Sequence, residues 1–102
     1  MDTPAQVPDY YVDQFNMAIG PYGCALIFGL MRPGPPSEGG PRQVPVATVR
    51  MSLEHLKAMA YVIHRQVTKY QSEFNVQVHI PEKALESLNT TKDEWRRFWG
   101  EP

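Results

Sequence analysis

Among the side chains that could carry out chemistry, the chain has a single cysteine, Cys24. A cysteine acts as a nucleophile when a neighbouring base or cation favours its thiolate form. Cys24 instead begins a continuous apolar run, and no basic residue lies beside it in the sequence. Because cysteine is among the most frequently buried residue types, we expect Cys24 to fill a core position and not to react.

The three histidines do not form a site that the sequence can identify. His55 and His64 lie nine residues apart on one predicted helix. At about 100° per residue, their side chains point to opposite sides of that helix. His79 could join either of them only through tertiary folding. The sequence therefore predicts neither a histidine metal site nor an acid–base pair.

The acidic residues near the C-terminus are explained by their places in helices. Glu82, Glu86, Asp93 and Glu94 fall at or near the starts of two short predicted helices, where the helix dipole favours negative charge. The chain contains no G-x-x-x-x-G-K phosphate loop, no G-x-S-x-G motif and no H-E-x-x-H motif. We therefore expect a non-enzymatic protein that has no catalytic residue, metal site or cofactor.

Four basic residues could together bind an anion: Arg50, Lys57, Arg65 and Lys69. Arg65 and Lys69 are one helical turn apart, so their like charges repel unless a partner neutralises them. Glu54 and Glu73 dilute this basic face, and the net charge of −1 provides no field that attracts nucleic acid. A solvated helix face is the simpler interpretation, and binding to a nucleic-acid backbone is kept as the alternative function.

Length and composition indicate one domain in a reducing compartment. A chain of 102 residues can bury a modest core without disulfides, and its single cysteine excludes an internal one. Residues 1–7 have none of the features of a secretion signal. The longest apolar run, Cys24 to Met31, is too short to cross a bilayer. We therefore expect a cytoplasmic protein without a membrane segment.

Alternating apolar residues predict an antiparallel meander of three strands. The first strand is expected at residues 9–19, followed by the turn Gly20-Pro21-Tyr22-Gly23. The second strand, Cys24 to Met31, is apolar on both faces and is therefore expected at the centre of the sheet. A loop rich in proline and glycine over residues 32–45 leads to the third strand at residues 44–51.

A long helix is predicted from Ser52 to Phe74, with Ser52 as its N-cap. Its apolar residues recur at alternating steps of three and four, as in a heptad stripe: Leu53, Leu56, Ala60, Ile63, Val67, Tyr70 and Phe74. The simpler interpretation of this stripe is a helix that packs on its own sheet. A seam between helices of two subunits is the alternative, and both can hold at once.

An extension is predicted to follow the helix. It is expected to contain a short strand at residues 76–80, a short helix from Pro81 to Leu88 and a last helix after the capping box Thr91-Lys92-Asp93-Glu94. The last helix carries three aromatic residues, Trp95, Phe98 and Trp99. They either clamp onto the body of the protein, which we favour, or form an exposed docking patch.

The predicted fold is therefore α+β. It is an antiparallel three-stranded meander packed by one long helix, with a short strand and a helical aromatic extension. The predicted organisation is a flexible tail at residues 1–8, a β-β-β-α core at 9–75 and an extension at 76–102 that packs on the core or on a partner.

Four segments carry a family resemblance: Phe15-x-Met17-x-Ile19-Gly20-Pro21-Tyr22, Ala25-Leu26-x-Phe28-Gly29, Val46-x-x-Val49 and Met51-Ser52-x-x-His55-x-Lys57. Together they resemble the short bacterial family known as domain of unknown function 3467, over roughly residues 8–74. The start of the helix is the most specific segment, whereas Gly23-Cys24 stands where the family has an aspartate. The resemblance implies a strand–turn–strand unit, a variable loop, a further strand and a helix that ends near a tyrosine such as Tyr70. It implies no catalytic residue.

The apolar second strand also bears on quaternary structure. One helix covers only one face of three strands, so the other face would expose Ile27, Met31 and residues such as Phe15, at about 25 cal/mol per Å². We therefore predict a homo-oligomer, most simply a twofold dimer, that acts through binding and assembly and contacts further proteins with the same surfaces. The expected interface residues are Ile27, Met31, Ile63, Val67, Tyr70, Phe74, Trp95, Phe98 and Trp99.

Overall fold

The computed structural model describes residues 6–101. Residues 1–5 of the predicted tail lie outside the described residues. Three antiparallel strands form one sheet: β1 (Gln14–Gly20), β2 (Gly23–Arg32) and β3 (Arg42–Met51). The strand order β1-β2-β3 confirms the predicted meander, with the most apolar strand in the centre. The α+β class is confirmed as well, because three helices follow the sheet in the chain.

The first strand begins later than predicted, at Gln14 and not at residue 9. Asp13 ends the preceding segment: its backbone N–H donates to the Gly29 carbonyl at 3.1 Å, and its carboxylate accepts from the Met31 N–H at 3.0 Å. Residues 8–12 border a cleft beside the sheet, whose lining includes Pro8, Tyr10, Phe28 and Val49. Residues 6–12 are neither strand nor helix, and Tyr11, which belongs to the predicted alternation, is 80% exposed.

The strand register produces one apolar sheet face. Met17 of β1 and Val49 of β3 both lie opposite Leu26 of β2, and Phe15 lies opposite Phe28. Directly paired residues point to the same side of a sheet. We call this side the apolar face, and its members are Phe15, Met17, Ile19, Cys24, Leu26, Phe28, Ala47, Val49 and Met51. Cys24 and Leu26 at its centre are buried.

The opposite face is partly closed by polar side chains. The Asn16 amide donates to the Gln43 side-chain carbonyl at 3.2 Å, so β1 and β3 are bridged over the strand between them. Gly29 lies close to the backbone of β3, since a Cβ there would lie 2.6 Å from the Val44 carbonyl oxygen. Ile27 on this face is half-buried and Met31 is exposed.

The prediction that grouped Phe15 with Ile27 and Met31 is therefore wrong. The register places Phe15 opposite Phe28, whereas Ile27 lies opposite Asn16 on the other face. The face of Ile27 and Met31 also needs less cover than expected, because the polar bridge occupies part of it.

The turns follow the glycine and proline signals of the sequence. Pro21 and Tyr22 form the two-residue turn between β1 and β2, and Tyr22 at its tip is fully exposed. Gly23 has a φ of +139°, which L side chains rarely adopt. The loop between β2 and β3 contains one 3₁₀ turn, Pro36–Glu38.

The first helix, α1 (Leu53–Glu73), begins as predicted. The Ser52 hydroxyl accepts from the His55 N–H at 3.1 Å, which confirms Ser52 as the N-cap. Beyond the C-terminal end of the helix, Asn75 takes a φ of +51°. None of the α1 residues is buried, so its apolar stripe is not part of a closed core.

Two short helices follow, α2 (Glu82–Ser87) and α3 (Lys92–Trp99). The Thr91 hydroxyl accepts from the Glu94 N–H at 3.2 Å, as the predicted capping box requires. The reciprocal contact differs, because the Glu94 carboxylate accepts from the Thr90 hydroxyl at 3.0 Å.

The strand predicted at residues 76–80 is wrong, since this segment is neither strand nor helix. The Val78 N–H donates to the Gln71 side-chain carbonyl at 2.8 Å, and the Gln77 amide donates to the Glu101 carboxylate at 2.8 Å. The Gln71 side chain therefore accepts a backbone hydrogen bond, from Val78, that a neighbouring strand would otherwise accept.

The described residues form two compact units that divide between Ala58 and Met59, within α1. The sequence had instead suggested a boundary after residue 75. Buried apolar residues include Cys24 and Leu26 in the first unit and Leu85 in the second. Within residues 6–101, none of the helices has both the length and the apolarity that crossing a bilayer would need.

Candidate functional site

Cys24 packs in the apolar face of the first unit, with only 6% of its surface exposed. Its cross-strand neighbours are Ile19 of β1 and Met51 of β3. The thiol therefore lies among apolar side chains, as expected of a core position.

The histidines occupy separate environments. His55 is exposed in the first turn of α1, and His79 is exposed beside a cleft of the second unit. His64 is half-buried, and its Nε2 lies 3.3 Å from the Phe98 carbonyl oxygen, to which an Nε2–H tautomer donates. In the part of the chain that the structure describes, no three His, Cys, Asp or Glu side chains are grouped to hold a metal ion.

The basic residues predicted to bind an anion belong to both units and are described separately. In the second unit, the Arg65 guanidinium lies 5.3 Å from the centre of the Tyr61 ring, a cation–π contact. The Lys69 ammonium lies 3.8 Å from the Glu73 carboxylate, an exposed ion pair one turn apart. In the first unit, Arg50 and Lys57 are exposed. Two of these four basic residues, Arg65 and Lys69, therefore contact other side chains of α1.

A cleft of about 370 Å³ opens in the second unit between α2, α3 and the segment before them. Its walls carry both charges and an indole, from Gln77, His79, Glu82, Leu85, Lys92, Trp95, Arg96 and Glu101. Glu82 and Lys92 form an ion pair across it. A hydrogen bond and the nearby charge of Lys92 lower the pKa of the Glu82 carboxyl below its ordinary value.

Removing the Lys92 charge should raise the pKa of Glu82. In Lys92→Met, we expect the carboxyl to titrate at a higher pH than in the native chain, because it loses both its hydrogen bond and its cation. The native pair stabilises the fold above the ordinary carboxyl pKa, and this contribution is lost as pH falls through the lowered pKa of the folded state. NMR titration of the Glu82 carboxyl carbon measures the shift. Equal titration in both chains would contradict the ion pair.

An aromatic cluster connects α3 to α1 within the second unit. The Trp99 and His64 rings stack with centroids 4.8 Å apart and an interplanar angle of 23°. Phe98 packs edge-on against the same histidine, also at 4.8 Å, and Trp95 lies 5.7 Å from Trp99. Trp99 and Trp95 are half-buried, while Phe98 remains exposed. Of the three predicted interface residues on α3, Trp95 and Trp99 therefore pack within their own chain, and Phe98 contacts His64 and Trp99 while it remains exposed.

The predicted interface residues on α1, and Phe74 directly after it, remain accessible. Ile63 and Tyr70 are each 52% exposed, Phe74 is 62% exposed and Val67 is half-buried. Tyr70 and Phe74 pack against each other, with ring centroids 4.9 Å apart. The contacts of α3 are made at His64, which lies beside this stripe and not on it. These α1 side chains therefore form a continuous apolar surface of the second unit.

The first unit also has an apolar surface that the predicted interface residues do not include. Phe15, Met17 and Ile19 of β1 belong to the apolar face, yet each is about half exposed. Their alternation with polar or small residues was visible in the sequence. The signal that they line an open edge was the absence of charge and proline from β1.

No protein-family model, no curated protein and no solved structure matches this chain. The family resemblance drawn from its four segments therefore stays a prediction.

Proposed function

We propose that this protein is a non-enzymatic assembly module of the cytoplasm that works by self-association and by contact with other proteins. The observation that carries the proposal is the exposed apolar stripe of α1 in the second unit. Ile63, Tyr70 and Phe74 each leave about half or more of their surface uncovered. Large side chains exposed in a row along one helix face are typical of a contact surface.

The spacing of the stripe favours another helix as the partner. Steps of three and four residues are those that let side chains of two helices interlock. The other helices of the described chain are short, since α2 has six residues and α3 has eight, against 21 for α1. A second copy of α1 has the length and the spacing to cover the stripe. The net charge of −1 creates little repulsion between two copies.

Nothing in the arrangement of the basic residues favours the alternative, a nucleic-acid-associated protein. Arg65 lies over Tyr61 and Lys69 pairs with Glu73, so both cations already have partners on α1. Retention of the protein on DNA or RNA that weakens steeply with added salt would support the alternative and contradict this argument.

The test is the absolute mass in solution, by light scattering after size-exclusion chromatography over a series of concentrations. We expect the native chain to reach twice its mass of 11.6 kDa. Ile63→Asp should weaken association at least about tenfold, because it places charge in the helix seam. The fold should survive, since Ile63 is half exposed within the chain.

Thr68→Asp is the matched control. It adds the same charge to an exposed position of α1 away from the stripe, so its mass should follow that of the native chain. A native mass of 11.6 kDa at all concentrations would contradict self-association. Equal masses for Ile63→Asp and the native chain would show that the stripe is not the contact.

A further inference from the structure

The two outer strands of the sheet differ in how open their edges are. A strand at the edge of a sheet has unpaired N–H and C=O groups that can pair with another strand. In residues 6–101, β1 pairs only with β2, and its sequence, QFNMAIG, contains neither proline nor charge. It therefore lacks two of the devices by which proteins block strand addition, charge and proline.

The other edge strand, β3, carries several of these devices. Pro45 has no N–H to donate, and the pairing of β2 with β3 is irregular at Phe28/Gly29. Arg42 and Arg50 place charges near its two ends. Among the edges described, β1 is therefore the one suited to accept a further strand.

We propose that β1 pairs antiparallel with β1 of a second copy, about a twofold axis at Met17. The inference rests on the proposed self-association and identifies a second contact for it. In this register Phe15 lies opposite Ile19 of the second copy, and Met17 lies opposite its own equivalent. Asn16 then lies opposite Ala18 on the other side of the sheet. Every pair joins residues of the same face, and this is the register of that kind that pairs all seven residues of β1.

The pairing also covers surface that the single chain leaves open. It joins the apolar faces of two copies into one six-stranded sheet, with the half-exposed residues of β1 at its centre. The strand is uncharged, so identical copies meet there without repulsion. Because two paired strands alone are only marginally stable, loss of the α1 contact should still lower the measured mass.

Disulfide cross-linking in the full-length chain tests the register. Residues that face each other across antiparallel strands have Cα atoms about 4.5–5.5 Å apart, a distance that a disulfide spans. With oxidised glutathione, Met17→Cys should form a covalent dimer at least about tenfold faster than Tyr22→Cys, because only the former is held beside its equivalent. Tyr22 is the control, since it is fully exposed at the turn. The native chain, whose single cysteine is the buried Cys24, gives the background rate of cross-linking.

A mixture of Phe15→Cys and Ile19→Cys chains gives a second readout. The mixture should cross-link faster than either variant alone, because the proposed register places these two positions opposite each other. Equal rates for Met17→Cys and Tyr22→Cys would overturn the strand pairing. If the native chain is then still dimeric by light scattering, only the strand pairing fails. A monomeric native chain would contradict the proposed self-association itself.

Discussion

Gly23→Ala is expected to lower the free energy of unfolding by about 2–4 kcal/mol, among the largest losses for any single-methyl addition in the chain. Gly23 has a φ of +139°, where an L residue is strained. A Cβ at this position would also lie 2.7 Å from the Met51 carbonyl oxygen. Both obstacles are in the backbone, so no side-chain rotation can relieve them. Urea unfolding followed by circular dichroism measures the loss.

Gly20→Ala is the matched control at the other end of the same turn. No heavy atom lies within 4 Å of the Cβ that would be added there, so we expect a change within about 1 kcal/mol. Similar losses for the two variants would contradict the strain expected at Gly23. A large loss at Gly23 alone would support the combined effect of its positive φ and its close approach to Met51.

The fold could be predicted where a signal is local. Glycine and proline fixed the β1–β2 turn, because they restrict φ within the turn itself. Ser52 and Thr91 were identified as N-caps since the hydrogen bonds they accept come from residues three positions later. The central place of β2 followed from apolar residues on both of its sides, which an edge strand does not need.

The sequence could not show which residues of different strands share a face. Alternation divides one strand into two sides, but register alone decides which side matches the neighbouring strand. Phe15 was grouped with Ile27 for this reason, whereas it lies opposite Phe28. The bridge between Asn16 and Gln43 was hidden as well, because the two residues are 27 positions apart.

In two segments the periodic pattern of the sequence did not determine the contacts that the structure contains. Residues 76–80 alternate like a strand, yet Gln71 supplies a hydrogen bond to the backbone of Val78. The heptad stripe of α1 predicted an apolar contact without identifying the partner, and Ile63 remains half exposed within the chain. A periodic pattern specifies a surface to be covered, and only the assembled structure specifies what covers it.

Trp99→Ala is expected to lower the free energy of unfolding by about 2–3 kcal/mol and to release α3 from α1. Trp99 is half-buried and its ring stacks on His64, with Trp95 and Phe98 against it. Truncation removes the shared contact of all three neighbours at once. Denaturant unfolding measures the loss of stability. The NMR signals of the His64 ring should move towards those of an exposed histidine, since the stacked indole ring no longer shifts them.

Trp99→Phe tests whether the stability at this position comes from the stacked ring or from the indole N–H. The Trp99 Nε1 is buried without a hydrogen-bond partner among the described residues, so this group contributes no directional bond within the chain. An unpaired buried donor costs about 1–3 kcal/mol, and a phenyl ring avoids that cost while it keeps an aromatic contact with His64. We therefore expect Trp99→Phe to lose less than about 1 kcal/mol. The signals of His55, which is exposed on the same helix, should not change in either variant. If Trp99→Phe destabilised the protein as much as Trp99→Ala, an aromatic ring at this position would not be sufficient to hold α3 in place, which would contradict the stacking argument.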